Sequence, residues 1–251
     1  MPTIGGSTLF AWDEGYSPGF FRVLEGRRRL FWEIADDSHL RVTDEVASQL
    51  SALRKDYGTR FSVHTPFMYK DILSSDVIKR DESISDIRQS ISLASKYGAE
   101  YAVIHPGYRN DDLSLGEIAE VWNDLLDFCA DVGLTGLIEN LTKKAVFCRP
   151  EDLYNFKRVL RRPSFVLDTG HANIEGTLGA FMEAIRDLSY FHIHDNNGTS
   201  DSHLRLGKGT IDWDPFFSKV TQFKPNAPLV VENMTVEDLD GSVQFALKRL
   251  S

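Results

Sequence analysis

Between Phe191 and Trp213 the chain reads FHIHDNNGTSDSHLRLGKGTIDW, a segment dense in groups that bind cations. Three histidines (His192, His194, His203) stand there with the carboxylates Asp195, Asp201, Asp212 and, one residue beyond, Asp214. The segment opens as an alternating strand, and Gly198, Gly207 and Gly209 then turn it into a loop. A histidine and an acid at a strand end, followed by Asp201-Ser202-His203, supply the mixed nitrogen and oxygen ligands that zinc or another divalent cation takes. A solvated polar loop is the alternative reading.

The same chemistry recurs elsewhere. Glu33, His64, His105, Glu139, Asp168, His192 and Glu232 each interrupt an apolar run near its C-terminal end. Seven such groups brought together without a counterion would cost several kcal/mol, on the order of a few for each buried charge, in repulsion and desolvation. Divalent cations remove that cost. His64 stands in VHTP and His105 in VIHPG, where the following proline restricts the backbone and so sets where the imidazole points. Glu139 ends LIEN and Glu232 ends VVEN. Each can bind metal through one oxygen and exchange a proton through the other. Asn140 and Asn233 either orient those acids or cap the next helix. Asp168 and His171 share LDTGH; His192 and His194 share one strand face, one as ligand and the other as a supporting donor or barrel-layer residue. Arg205 and Lys208, the latter between Gly207 and Gly209, either hold a substrate phosphate or lie on the surface. They do not form a Walker A loop, which needs GxxxxGK[ST] after a strand. Glu33 is placed to touch substrate, and Trp12 and Trp32 are core, rim or sugar-stacking residues.

The elements that must position these groups are legible. Strand patterns run over Thr3 to Thr8, Leu30 to Ala35, Arg60 to His64, Tyr101 to His105, Thr135 to Glu139, Ser164 to Asp168, Tyr190 to His194 and Leu229 to Glu232. Amphipathic helices are expected over Thr43 to Tyr57, Asp81 to Tyr97, Ser114 to Val132, Pro150 to Leu160, Leu178 to Leu188, Asp214 to Phe223 and Asp238 to Leu250, three of them stopped by Gly58, Gly98 and Gly133. Eight strands alternating with helices in 251 residues, with no Pro-, Gly- or Ser-rich linker, predict a single α/β domain over 1–251, a closed (β/α)8 barrel. In such a barrel the strands' C-terminal ends meet at one mouth, which is where active sites form. Gly5-Gly6 either leaves room for a ligand or serves tight packing.

The totals narrow the field further. The chain is 42% hydrophobic and 26% charged with a net charge of −9, which describes a globular protein and argues against a diffuse basic face for nucleic acid. Bound cations would weaken that last exclusion inside the mouth itself. Of the two cysteines, Cys129 falls in a helical apolar pattern and reads as core, and Cys148 as semi-buried; neither a disulfide scaffold nor a thiolate metal site is indicated. No signal peptide precedes the first strand and no apolar run approaches a membrane span, so a cytoplasmic protein without membrane partners is expected. The outer helices show no exposed apolar stripe separable from core, and so specify no oligomeric state.

With these residues in view, nearly the whole chain resembles the xylose isomerase-like TIM barrel superfamily, also called apurinic/apyrimidinic endonuclease family 2. The resemblance is carried by VHTPF (63–67), VIHPG (103–107), IEN (138–140), LDTGHAN (167–173), HIHDNNGTSDSHLRLGKGTIDW (192–213) and VVEN. The endonuclease IV branch uses three zinc ions to activate water against the DNA phosphodiester 5′ to an abasic site. By motif, one zinc would take His64, His105 and Glu139; the second Glu139, Asp168, His192 and Glu232; the third His171, Asp201 and His203. The sugar isomerase and epimerase branch holds one divalent ion (manganese, magnesium, cobalt or zinc) on Glu139, Asp168, His192 and Glu232, with His171 helping to hold substrate. There two glutamates move a proton alpha to a carbonyl while the metal stabilises the enediolate.

Departures from both branches stand beside the resemblance. The connections after the second and sixth strands are short, Phe67 replaces the tyrosine near the abasic nucleotide, and Gly198 lies where the epimerase branch has a substrate arginine. The sequence reading is therefore a metal-dependent isomerase or epimerase of a small sugar or phosphosugar, working through Glu139 and Glu232. The alternatives are a zinc phosphoesterase with two or three ions acting on abasic-site DNA or a small phosphodiester, the one reading with a nucleic-acid partner, and a non-catalytic sugar- or metal-binding protein.

Overall fold

The computed structural model describes residues 2–250. Eight parallel strands, β1 (Thr3–Ser7), β2 (Phe31–Ala35), β3 (Phe61–His64), β4 (Tyr101–Ile104), β5 (Thr135–Glu139), β6 (Phe165–Asp168), β7 (Tyr190–Ile193) and β8 (Pro228–Val231), close in sequence order, with β8 paired back onto β1. This is the (β/α)8 barrel the alternating pattern predicts. Around it run α1 (Pro18–Gly26), α2 (Asp44–Tyr57), α3 (Val77–Lys96), α4 (Leu115–Asp131), α5 (Pro150–Val159), α6 (Thr169–Ile174), α7 (Leu178–Glu183), α8 (Trp213–Phe223) and α9 (Val236–Leu250).

The core has two parts. A large outer cluster fills the space between barrel and helices. A smaller one, Phe31, Val103, Leu137, Val166, Tyr190 and Val230, lies apart from it, one residue on each of six strands. Side chains in a strand alternate faces, so the residue two further on shares the same face. Those residues are Glu33, His105, Glu139, Asp168, His192 and Glu232. The polar mouth therefore stands directly on an apolar layer, and the strand period alone accounts for the convergence.

Local differences from the sequence expectation have physical causes. α3 begins at Val77, four residues before Asp81, because the Asp76 side chain caps it by accepting from the Ile78 and Lys79 amides. Val77 and Ile78 are exposed, so they added nothing to an apolar stripe. α1 was not expected; Ser17 caps it, accepting from the Phe20 amide, and Pro18 stands in its first turn. The expected helix to Leu188 stops at Glu183 and gives way to a 3-10 turn at Ile185–Asp187. Gly5 and Gly6 serve packing: a Cβ on Gly5 would meet the Phe31 carbonyl oxygen at 2.6 Å, and one on Gly6 the Leu239 side chain at 2.8 Å. Cys148, expected semi-buried, is as fully enclosed as Cys129. No helix among the described residues is long and apolar enough to cross a membrane.

Candidate active site

Glu139, at the end of β5, is the hub of the mouth. Its Oε2 lies 3.2 Å from His64 Nε2 and 3.3 Å from His105 Nε2, and its Oε1 lies 2.9 Å from His192 Nδ1. That same nitrogen faces Glu232 Oε1 at 3.6 Å and Asp168 Oδ2 at 3.9 Å. On the far side Asp201 joins His171 (3.3 Å), His203 (3.3 Å) and His194 (3.6 Å). The nine residues expected as metal ligands are thus assembled at one end of the barrel.

Asn140 and Asn233 tie strand ends together. Asn140 exchanges two hydrogen bonds with the backbone of Asp168, donating to its carbonyl and accepting from its amide. Asn233 donates to the His203 carbonyl and accepts from the Ser242 hydroxyl. Asp168 accepts from the His171 amide at 2.6 Å, capping α6, so the strand end and the short helix are set by one carboxylate.

The donor set fits divalent cations. Three groups have ligand atoms within 4.8 Å of one another: His64, His105 and Glu139; Glu139, Asp168 and His192; and His194, Asp201 and His203. Glu232 lies within that distance of His192 and Glu33 in one further group, and of Asp168 and His194 in another. The donors are imidazole nitrogens and carboxylate oxygens, the ligands zinc and manganese take. His194 Nδ1 is buried without a hydrogen-bond partner. His194, which the sequence left between ligand and support, belongs geometrically with Asp201 and His203.

Electrostatics point the same way. Burial disfavours a charged His64, but its hydrogen bond to Glu139 and the charges of Glu139 and Glu33 prevail and push it up to about 9. Burial likewise opposes charge on His171, and Asp168, Asp201 and Glu139 push it up to about 10. Glu139 goes the other way: burial would raise it, but the charge of His192 and hydrogen bonds from His105, His192 and His64 hold it well below the usual carboxylate range. Glu232 is pushed up to about 8 by burial and, against the opposing His192, by the charges of Asp168, Glu139 and Glu33.

In the metal-free protein imidazolium protons therefore balance the carboxylates, and a metal must displace them. Binding zinc or manganese at pH 7 is expected to release at least one proton per chain. Affinity should rise with pH until His64 and His171 are deprotonated. Calorimetry in buffers of different ionisation enthalpy measures this; binding without proton release would contradict the arrangement.

Of the other residues singled out from sequence, Glu33 lies behind His192, fully buried, its Oε2 3.1 Å from His192 Nε2 and 2.9 Å from the Tyr190 hydroxyl. It does not line the cavity. Lys208 is exposed, and Arg205 lies over Gly241 of α9; neither reaches the cavity. Asp195 accepts from the Gly207 and Ile211 amides and the Trp213 indole, so it clamps the following loop. Asp212 caps α8, and Asp214 pairs with Arg249. Trp32 is core, whereas Trp12 lines the cavity.

The cavity above the clustered ligands measures about 270 Å³. Sequence reasoning missed Ser7, Leu9, Met68 and Met234 in its lining. Ser7 was within reach, since it follows Gly5 by two on β1. The methionines lie in loops, where no periodicity marks them.

Gly170 packs against the site so closely that a Cβ would fall 1.9 Å from His194 Cε1. Gly170→Ala is expected to displace the ring, lower metal content and destabilise the protein by about 1–3 kcal/mol. Elemental analysis with denaturant unfolding tests this, and wild-type values in both would refute it.

The family model of the xylose isomerase-like TIM barrel matches residues 28–248 of this chain. The chain belongs to that family. Fructoselysine 3-epimerase of Shigella flexneri is 25% identical over 175 residues, covering 64% of this chain and 63% of that protein. A probable endonuclease 4 of Solibacter usitatus is 28% identical over 235 residues, covering 80% of this chain and 79% of its own. Among solved structures, a D-tagatose 3-epimerase-like protein superposes with a TM-score of 0.87 at 24% identity, covering 99% of this chain and 98% of that one.

Proposed function

We propose that the protein is a metal-dependent sugar isomerase or epimerase that moves a proton on a carbon next to a carbonyl. The observation that carries this reading is the pair Glu139 and Glu232. They flank His192 Nδ1 from β5 and from just beyond β8, and their surroundings drive their acidities apart. Such a split marks one carboxylate as base and the other as acid. The similarity to fructoselysine 3-epimerase supports it.

A divalent cation held by Glu139, Asp168, His192 and Glu232 would supply Lewis-acid polarisation of the sugar's oxygens. One glutamate takes the proton from the carbon, the C–H electron pair moving toward the carbonyl oxygen. The other returns a proton to the same carbon from the opposite face, inverting the centre, or to the neighbouring carbon, isomerising the sugar as the hydroxyl proton passes to the former carbonyl oxygen. His171, which lines the cavity, would hold a hydroxyl, and Leu9, Trp12, Phe67, Met68 and Met234 set apolar surface beside it.

The test is exchange: a sugar turned over in deuterated water should gain deuterium on carbon. Sugars that bind but show no exchange would sink the reading. One observation favours a second reading, phosphoester hydrolysis: the His64–His105–Glu139 and His194–Asp201–His203 groups flank the central one and offer donors for further ions. Two or three zinc equivalents, with cleavage of abasic DNA or a small phosphodiester, would establish it instead. Affinity without either reaction would indicate a binding protein. A cytoplasmic setting belongs to the proposal, supported by two buried, unpaired cysteines.

A further inference from the structure

The cavity separates into a polar floor, made by the imidazoles and carboxylates described above, and an apolar wall. The wall is Leu9, Trp12, Phe67, Met68 and Met234. It is a built surface. Phe67 packs on His64 and His105 at ring-centroid distances of 5.0 and 5.3 Å, and Trp12 leans on Phe67 at 6.0 Å. From behind, Asp37 Oδ2 accepts from the Phe67 and Met68 amides, both at 2.6 Å, and so fixes where those side chains stand.

Two further facts define what this space can take. Ser7 lines the cavity with its hydroxyl buried and without a hydrogen-bond partner. A buried hydroxyl left unpaired is costly, and a bound ligand can satisfy it. Second, no lysine or arginine lines the cavity among the described residues. The nearest sequence candidates are committed elsewhere: Arg205 lies over Gly241, and Lys208 faces solvent. With the sugar's reactive end on the imidazole and carboxylate floor, a phosphate at its other end would lie against thioether and aromatic surface with no lysine or arginine to receive it, which is unfavourable.

We infer that this site takes an uncharged ketose carrying an apolar or aromatic substituent, and discriminates against sugar phosphates. The reactive end rests on the polar floor, a hydroxyl accepts from or donates to Ser7, and the substituent lies against Trp12, Phe67 and the methionines. The inference rests on the sugar reading above and narrows it to one substrate class. Ser7 binds the sugar itself, and Trp12 is the specificity residue for its substituent.

The test is calorimetric binding to the metal-loaded protein with three matched probes: D-fructose, D-fructose 6-phosphate and 1-deoxy-1-phenylamino-D-fructose. The aryl ketose is expected to bind about tenfold or more tighter than the phosphate, since burying the ring removes apolar surface from water and stacks it on Trp12. Ser7→Ala should weaken both uncharged ketoses about three- to tenfold, the worth of one neutral hydrogen bond. Because that hydroxyl has no partner within the protein, the thermal midpoint should not fall. Trp12→Ala should remove the aryl preference while leaving D-fructose affinity near wild type.

Tighter binding of the phosphate, unchanged affinities in Ser7→Ala, or no binding by any of the three would overturn the inference. Deuterium exchange read on the same samples separates this from the function itself. Aryl-ketose binding without exchange leaves the inference standing and removes the epimerase reading. Exchange with the phosphate bound tightest does the reverse.

Discussion

Glu232→Gln is expected to lower turnover by about 10²–10⁴-fold, the range lost when a positioned acid or base is removed, in a barrel that still folds. Glutamine preserves the shape of the side chain and can keep one oxygen toward His192, but it cannot hold or release a proton. The position is fully exposed to this change because Glu232 is buried and surrounded by Asp168, Glu139 and Glu33, whose charges raise its proton affinity. Glu139→Gln should be as severe in rate and should in addition lose metal, because Glu139 is shared by His64, His105 and His192. Deuterium incorporation and metal content, measured on both variants, separate the two roles. Retention of exchange in Glu232→Gln would remove it from proton transfer.

Removing the metal should produce the second large effect, and it should invert the dependence of stability on pH. A ligand present at about a thousand times its Kd stabilises the folded state by about 4 kcal/mol, roughly 8–16 °C in Tm for a chain of this size. In the metal-free protein the raised histidines set the alkaline limb. His64 and His171 bind protons up to about 9 and about 10 when folded, against about 6.5 in the unfolded chain. Their contribution is complete below about pH 6.5 and is lost as pH rises through those folded values.

Glu232 acts with the same sign. Held up to about 8, it favours the folded state less and less as pH climbs above the ordinary carboxylate value. On the acid side the lowered carboxylates Glu139 and Asp201 stabilise above the usual carboxylate range and lose that contribution as pH falls. Metal-free protein should therefore be most stable at about pH 5–6.5, and metal-loaded protein at higher pH, where the imidazoles are free to bind the ion. Thermal melts with and without chelator across pH 5–9 check this, and parallel curves would refute it.

The barrel was legible because six of its eight strands carry an apolar residue facing inward and then a polar one two positions later. Phe31 and Glu33, Leu137 and Glu139, Tyr190 and His192 are such pairs. The candidate ligands could be picked out from residue type and strand-end position without knowing any contact. What sequence could not supply was depth along the barrel axis. Glu33 sits on the same face as its counterparts, yet the strand stagger carries it behind His192 and away from the cavity. Arg205 and Lys208 have the chemistry to bind phosphate, but the loop turns them outward, and loop direction depends on contacts distant in sequence such as Asp195 to Trp213. The apolar wall was invisible for a related reason, since Met68 and Met234 acquire meaning only when loops following different strands meet.

The loop from Asn196 to Ile211 is held by a carboxylate that stands outside the candidate metal groups and the cavity lining. Asp195 pairs its backbone with Leu204, accepts from the Gly207 and Ile211 amides and Trp213, and leaves no room for a side chain on Gly209. Asp201 and His203 are thereby presented by a loop anchored at its base, and His194, just past the end of the preceding strand, completes their group. His203 takes φ of 45°, a conformation rare outside glycine, and its carbonyl is held by Asn233. Descendants of one barrel could gain or lose an outer cation position by changing this segment alone, while Glu139, Asp168, His192 and Glu232 stay where the strands put them.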